Sequence, residues 1–438
     1  MAFPLETAAH PENLRRVVIE PVSRVEGHGK VTILLDADDK VHQVRLHIVE
    51  FRGFEKFIQG RPYWEVPVMV QRLCGICPVS HHLAASKALD IIVGAKQLTP
   101  TAEKMRRLMH LGQILQSHAL HFFHLASPDL LFGFDAEVAK RNIVGVAAVA
   151  PEVARKGVLL RKYGQEIIRH TAGKRVHGTG SVPGGVNKNL TRAERAGLLG
   201  EIDTIVEWSR EAVGIIRKLF ADNAALYASF GRFDSNRLSL VRADGALDLY
   251  HGGLRATDGK GGTIFDHADY QNYYEYLHEE VKPWSYMKFP FIVEQGTEAG
   301  WYRVGPLARV AQCDFIPGHD LVATGERQER GVGVIEAPRG TLIHHYRVNE
   351  DDQIVNANLI VSTTHNNQAM NEAVRQVAMQ YLDGRTLTEG LLNHIEVAIR
   401  AFDPCLSCAT HALGKMPLEA ELVDADGSVI GRLARNGG

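Results

Sequence analysis

Four of the chain's five cysteines stand in two C-x-x-C pairs, Cys74/Cys77 and Cys405/Cys408. Each pair sets two sulfurs about one turn apart, and an imidazole follows each: His81 after the first, His411 after the second. If the fold brings the pairs together, one centre receives four sulfurs. Soft thiolates select zinc, iron–sulfur clusters, Cu(I) or nickel-like ions over magnesium or calcium. A structural four-cysteine zinc site, an iron–sulfur cluster and a redox disulfide all fit this spacing. Two features weigh against structural zinc. The pairs come from opposite ends of the chain, whereas zinc modules close locally. Charges and proton carriers also flank them, with Arg72 and Asp403 two positions before each pair, as an outer shell would. Cys313 has no partner and reads as a buried small hydrophobe.

The elements that must position these residues are mostly helical. The chain has 438 residues, long enough for a large core, with 49 Lys plus Arg against 51 Asp plus Glu. A net charge of −2 excludes a strongly basic nucleic-acid binder as the default. No run is long and apolar enough to span a bilayer. The N-terminal residues show no basic flank leading into an apolar stretch, so a cytoplasmic protein is expected. An odd, sparse cysteine count argues against a disulfide scaffold. Residues 17–51 read as strands, with VTILL and VHQVRLHIV forming a hairpin around an acidic turn. Apolar periodicity predicts a helix over 101–126, with Thr101 as N-cap after Pro100. Further helices are expected over 136–170, 192–230, 367–382 and 388–402. Gly252–Gly262 reads as a turn-rich stretch, residues 341–361 as a second hairpin, and Ala425–Ser428 as the turn of a third. The fold class is therefore predominantly α (α+β): a large multi-helix bundle body with small peripheral β-hairpins, in one domain over 1–411.

The motifs together resemble [NiFe]-hydrogenase large subunits. The resemblance is carried by R-x-C-G-x-C-x-x-x-H at Arg72–His81 and D-P-C-x-x-C-x-x-H at Asp403–His411. It extends to Glu20–His28 (EPVSRVEGH), Phe51–Glu55 (FRGFE), Val304–Arg309 and Ala337-Pro-Arg339-Gly. Within the family, EFRGFEKFIQGRP, EKMRRLMHLGQ, SVPGGVN and WSYMKFP are most similar to cytoplasmic, bidirectional, NAD-linked members.

The resemblance implies a fold and a set of roles. Cys74, Cys77, Cys405 and Cys408 would hold nickel, and Cys77 and Cys408 would bridge to an iron carrying carbon monoxide and cyanide. Arg339 and Thr363 would line the diatomic-ligand pocket, with Leu342 on its apolar side and His81 beside it. Glu55, the Leu359 carbonyl and His411 would hold Mg2+. Glu26 would carry protons away from the bridging thiolate, and a terminal thiolate, Cys405, would serve as the base. Residue chemistry agrees: heterolytic cleavage of dihydrogen needs a base, a relay and fixed positive charge. The implied activity is reversible conversion of H2 to protons and electrons. Too few cysteines remain for an iron–sulfur wire. Electrons would leave through a small subunit with iron–sulfur clusters and diaphorase subunits with FMN and NAD. A deazaflavin- or heterodisulfide-linked acceptor, or a non-catalytic metal-binding relative, is the alternative. Residues 412–438 would be a C-terminal extension removed by a maturation endopeptidase after nickel-insertion proteins have acted.

Several residues have blander readings or depart from the family. Without the family, Glu26 is a salt-bridge partner, Glu55 a surface charge and Arg339 a turn residue. His118, His121 and His124 read as one helical face of core histidines. Gly178-x-Gly180 lacks the strand and acid of a dinucleotide loop. Ser117 stands where many relatives carry Asp, and His365 where many carry Trp or Gln. The stretch 310–335 reads as shorter than in relatives.

Overall fold

Apolar alternation builds the first layer. The computed structural model describes residues 15–409 except 37, 39, 49–52, 96, 283, 313–327 and 382–387, together with 418–423 and 429–435. Strands β1 (Arg15–Ile19), β2 (Gly29–Leu35) and β3 (Val41–Ile48) form an antiparallel sheet in that order. Val31, Ile33, Leu35 and Leu46 are fully buried in it. Asp36 turns the predicted hairpin by accepting the amides of Asp38 and Lys40.

Helices supply the body. Helix α1 (Pro78–Ile92) starts at Cys77, with proline at its first position. Proline fits there because that amide has no helical partner. All but one of its residues are buried, the polar Ser80, His81, His82, Ser86, Lys87 and Asp90 included. Helix α2 (Pro100–Leu120) is capped by Thr99, whose hydroxyl accepts the Ala102 amide, so the N-cap lies two residues before the expected Thr101. It passes into a π-helical turn, His121–Ala126, which breaks the single face expected for His118, His121 and His124. Helix α3 (Pro151–Ala172) packs closely on α2. A Cβ added at Gly164 would lie 2.7 Å from the Gln116 amide nitrogen, so the crossing depends on glycine. Helix α4 (Arg192–Asp222) opens with a capping box between Thr191 and Glu194.

The sheets that follow are larger than the sequence predicts. Strands β4 (Asn236–Val241), β5 (Gly253–Thr257), β6 (Thr263–Ala268) and β7 (Tyr302–Arg303) make one sheet, ordered β7-β4-β5-β6. The expected turn-rich stretch over Gly252–Gly262 is thus half strand. Its turn is confined to Asp258–Gly262, where the Asp258 carboxylate accepts two amides. Strands β8 (Arg330–Ala337), β9 (Gly340–Val348) and β10 (Ile354–Ile360) make another antiparallel sheet. The predicted hairpin is β9–β10, with β8 as an unforeseen third strand. This sheet is not peripheral: Val332, Val334, Ile335 and Ile343 are fully buried. A Cβ at Gly333 would sit 2.2 Å from the Ala84 carbonyl, so two backbones meet there. The helix-dominated fold class stands, with a sheet at its centre.

Helices α5 (Asn367–Tyr381) and α6 (Glu389–Arg400) match the expected spans. Strands β11 (Leu418–Val423) and β12 (Val429–Arg435) pair antiparallel as the third hairpin. Its turn residues, like His411 and Cys313, lie outside the described residues.

Candidate metal centre

The two cysteine pairs meet. All four sulfurs lie within 4.8 Å of one another, and all four residues are buried. Cys74 Sγ is 3.3 Å from Cys405 Sγ, Cys77 Sγ is 3.8 Å from Cys408 Sγ, and Cys405 and Cys408 are 2.7 Å apart. A disulfide bond is ~2.05 Å, so none of these pairs is one. Metal–thiolate bonds of ~2.3 Å in a tetrahedron space sulfurs by about 3.8 Å, and the observed separations, from 2.7 Å to no more than 4.8 Å, bracket that value.

The first pair sits on the loop into α1. Amides of Ile76 and Cys77 donate to Cys74 Sγ at 3.2 and 3.4 Å. Gln113 and Gln116 on α2 both donate to the Ile76 carbonyl and pin the loop. Cys77 occupies the N-cap of α1, where the helix dipole favours a thiolate. The second pair follows α6. Asp403 turns the chain with φ +48°. The Cys405 amide donates to Thr363 Oγ1 at 2.9 Å, and the Leu406 amide to the Glu26 carbonyl at 3.0 Å. A buried ion network holds this junction: Arg400 pairs with Asp129 and Glu396, Arg24 pairs with Asp129, and Ser23 bonds Glu396.

The electrostatics call for a cation. Hydrogen bonds from Cys405, Cys408 and Cys74 hold the Cys77 thiol well below its ordinary range. Burial pushes Cys405 and Cys408 well above theirs. Four thiols in so small a buried volume cannot all ionise unless positive charge joins them.

Beside the sulfurs lies a cavity of about 10 Å³, walled by Cys77, Ser80, His81, Arg339, Thr363 and Cys405 among others, with Leu342 on an apolar side. Burial disfavours charge on Arg339, but Asp403 and the neighbouring thiolates outweigh it and hold its value well above normal. Its guanidinium donates to the Asp403 carbonyl and, at 3.1 Å, to the Asp403 carboxylate. Burial pushes the Asp403 carboxyl up. Arg339 Nη1, Ser80 Oγ and His81 Nε2 are buried without partners. Each such orphan costs about 1–3 kcal/mol, so three around one cavity indicate a bound group that accepts from them. A structural zinc site is closed by its four protein ligands and calls for no further bound group. These residues fit a thiolate-held metal centre bearing small polar ligands.

The other expected residues divide. Glu26 is half-buried, and its carboxylate accepts both the Ser407 hydroxyl and, at 3.3 Å, the Ser407 amide. Glu55 stands on the short helix Phe54–Phe57 and accepts the Leu359 amide at 3.0 Å. Lys288, 3.4 Å from Glu55 Oε1, also bridges to Glu279 and Asn358. Arg72 is exposed rather than turned inward. Ser117 is fully buried. His365 bonds the Tyr302 hydroxyl at 2.6 Å, and burial lowers it to about 3. Burial likewise lowers His118 to about 3. Ser80, Ser407 and Lys288 were not anticipated. Ser80 and Ser407 sit inside the cysteine motifs and Lys288 inside WSYMKFP, but serine and lysine carry no spacing signal of their own.

Comparison with known proteins gives one answer along the chain. A family model described as HoxL-like matches residues 16–51, and one described as Nickel-dependent hydrogenase matches 52–149 and 318–411. The chain is 44% identical to NAD-reducing hydrogenase HoxS subunit beta of Cupriavidus necator, over 96% of this chain and 100% of that one. It is 37% identical to a chain of the F420-non-reducing hydrogenase of Methanothermobacter thermautotrophicus, over 95% and 100%. A crystal structure of NAD+-reducing [NiFe]-hydrogenase in the H2-reduced state superposes with TM-score 0.88 at 56% identity, covering 91% of this chain and 99% of that one. The Ni-Fe-Se hydrogenase of D. vulgaris Hildenborough shares the fold at TM-score 0.71 and 21% identity.

Proposed function

The chain belongs to the nickel-dependent hydrogenase family, and we propose that it is the H2-cleaving subunit of a NAD-linked complex. It is an oxidoreductase and a hydrogenase catalytic subunit, with the fold of the [NiFe] large subunits. The convergence of four buried sulfurs on one point, beside a cavity ringed by unpartnered polar atoms, carries this reading.

Cys74, Cys77, Cys405 and Cys408 would hold a nickel–iron pair, which when bound supplies redox chemistry that no side chain here can. Arg339, Thr363 and Ser80 would bind carbon monoxide and cyanide on the iron, with Leu342 keeping that side dry. Cys405 Sγ would receive the proton released from H2. Glu26 would take it onward, and two hydrogen bonds from Ser407 support this by fixing both carboxylate oxygens. Arg339 keeps its charge through Asp403 and would stabilise negative charge developing at the metals. Glu55, the Leu359 carbonyl and His411 would take Mg2+, an oxygen-seeking cation. The Leu359 amide already holds Glu55 to that strand.

No helix among the described residues is long and apolar enough to cross a membrane. The four free thiols fit a reducing, cytoplasmic compartment. The small subunit, diaphorase subunits, nickel-insertion proteins and an endopeptidase are the proposed partners. Cleavage after His411 would separate domain 1–411 from 412–438, and the intact mass of the matured subunit checks this. For NAD linkage the test is H2-dependent reduction by the purified complex. NAD+ reduced alongside a viologen dye is expected; dye reduction with no NAD+ reduction under any condition would move the chain to another acceptor.

A further inference from the structure

The cysteine site is joined by a buried polar chain of three side chains. His81 Nδ1 lies 3.3 Å from His344 Nε2, and His344 Nδ1 lies 2.7 Å from the Tyr346 hydroxyl. His81 is 1% exposed, and His344 and Tyr346 are fully buried. His81 follows Cys77 by one turn of α1, while His344 and Tyr346 share one face of β9, two residues apart.

The hydrogens of this chain can be placed by elimination. The Tyr346 hydroxyl has His344 as its one hydrogen-bond partner among the described residues. A buried hydroxyl hydrogen with no acceptor is costly, so Tyr346 donates to His344 Nδ1. His344 then carries its hydrogen on Nε2 and donates it to His81 Nδ1. His81 must therefore hold its own hydrogen on Nε2. That nitrogen is buried without a protein partner, and its imidazole shares the cavity wall with Cys77.

We propose that Tyr346 and His344 are positioning residues that fix the tautomer of His81, so that its Nε2–H is presented to the cavity its ring shares with Cys77. The inference rests on the hydrogenase reading, in which Cys77 is a metal ligand. An imidazole's tautomer is set by the partner of its other nitrogen, and such partners tune the ligand they orient. Without the tyrosine hydroxyl, His344 is free to carry its hydrogen on Nδ1. His81 Nδ1 would then become the donor, and a bare Nε2 lone pair would face the cavity.

The test is infrared spectroscopy with nickel and iron analysis on the loaded complex, for wild type, Tyr346→Phe, His344→Leu, His344→Gln and His81→Ala. Tyr346→Phe and His344→Leu are expected to load metal and to shift the carbon monoxide and cyanide stretches together. His344→Gln keeps one acceptor and one donor and is expected to stay nearer the wild-type positions. Unshifted bands in Tyr346→Phe at full metal loading overturn the proposal, all the more if His81→Ala does shift them. If Tyr346→Phe fails to load, His344→Gln decides: near-wild-type bands support the relay, and bands displaced as in His344→Leu overturn it. Absence of such bands in the wild type sinks the hydrogenase reading and the inference together.

Discussion

At the scale of single residues, charge is the controlling quantity. Cys408 contributes one of four sulfurs drawn within 4.8 Å, and serine would keep its size while removing the soft ligand. Cys408→Ser is expected to lose H2 turnover by several orders of magnitude while far-ultraviolet circular dichroism stays native-like. Full activity in that variant contradicts the assignment. This scale was the most legible in the sequence, because ligand residues come with spacing. The structure brings together Cys74, Cys77, Cys405 and Cys408, and it sets Arg339 and Thr363 in one cavity wall with Cys77 and Cys405. Ser80, Lys288, His344 and Tyr346 escaped notice. Their importance comes from partners more than two hundred residues away in some cases, and no local pattern records such a partner.

At the scale of elements, the seam between α1 and β8 does the positioning. Helix α1 carries His81 and starts at Cys77, and it lies against β8 where glycine lets backbones touch. Gly333→Ala would drive a methyl to 2.2 Å from the Ala84 carbonyl. Such overpacking costs about 1–3 kcal/mol or more. Urea unfolding should show a lower midpoint, with weaker metal retention because α1 shifts. An unchanged midpoint would mean that the seam yields freely. Helix spans were largely readable from periodicity, α5 and α6 among them. The sheets were less so: β8 reads RGVGVIEA, an apolar run without a strict alternation or turn signal, and short runs of that kind do not separate strand from buried helix. The N-cap slipped from Thr101 to Thr99 because both threonines flank the same proline.

At the scale of the whole molecule, buried neutral imidazoles couple stability to pH. Burial lowers His82 and His110 to about 4 from 6.5. The unfolded chain therefore takes up protons first as the pH falls. Stability from these groups is complete above 6.5 and lost as the pH drops toward about 4, at about 1.4 kcal/mol per pH unit for each. The urea midpoint should fall between about pH 7.5 and about pH 5.5, and replacing His82 with Gln should flatten that fall. A midpoint that rises over this interval would contradict the assignment of neutral imidazoles. Residues, seam and imidazoles together build one buried thiolate cage, which would hold a nickel–iron pair with small polar ligands on the iron. Nickel and iron content with an infrared spectrum, on the subunit matured beside its partners, reads that cage directly. One nickel and one iron of the cage with carbon monoxide and cyanide stretches is the predicted result; zinc in their place, with no such bands after complete C-terminal processing, would contradict it.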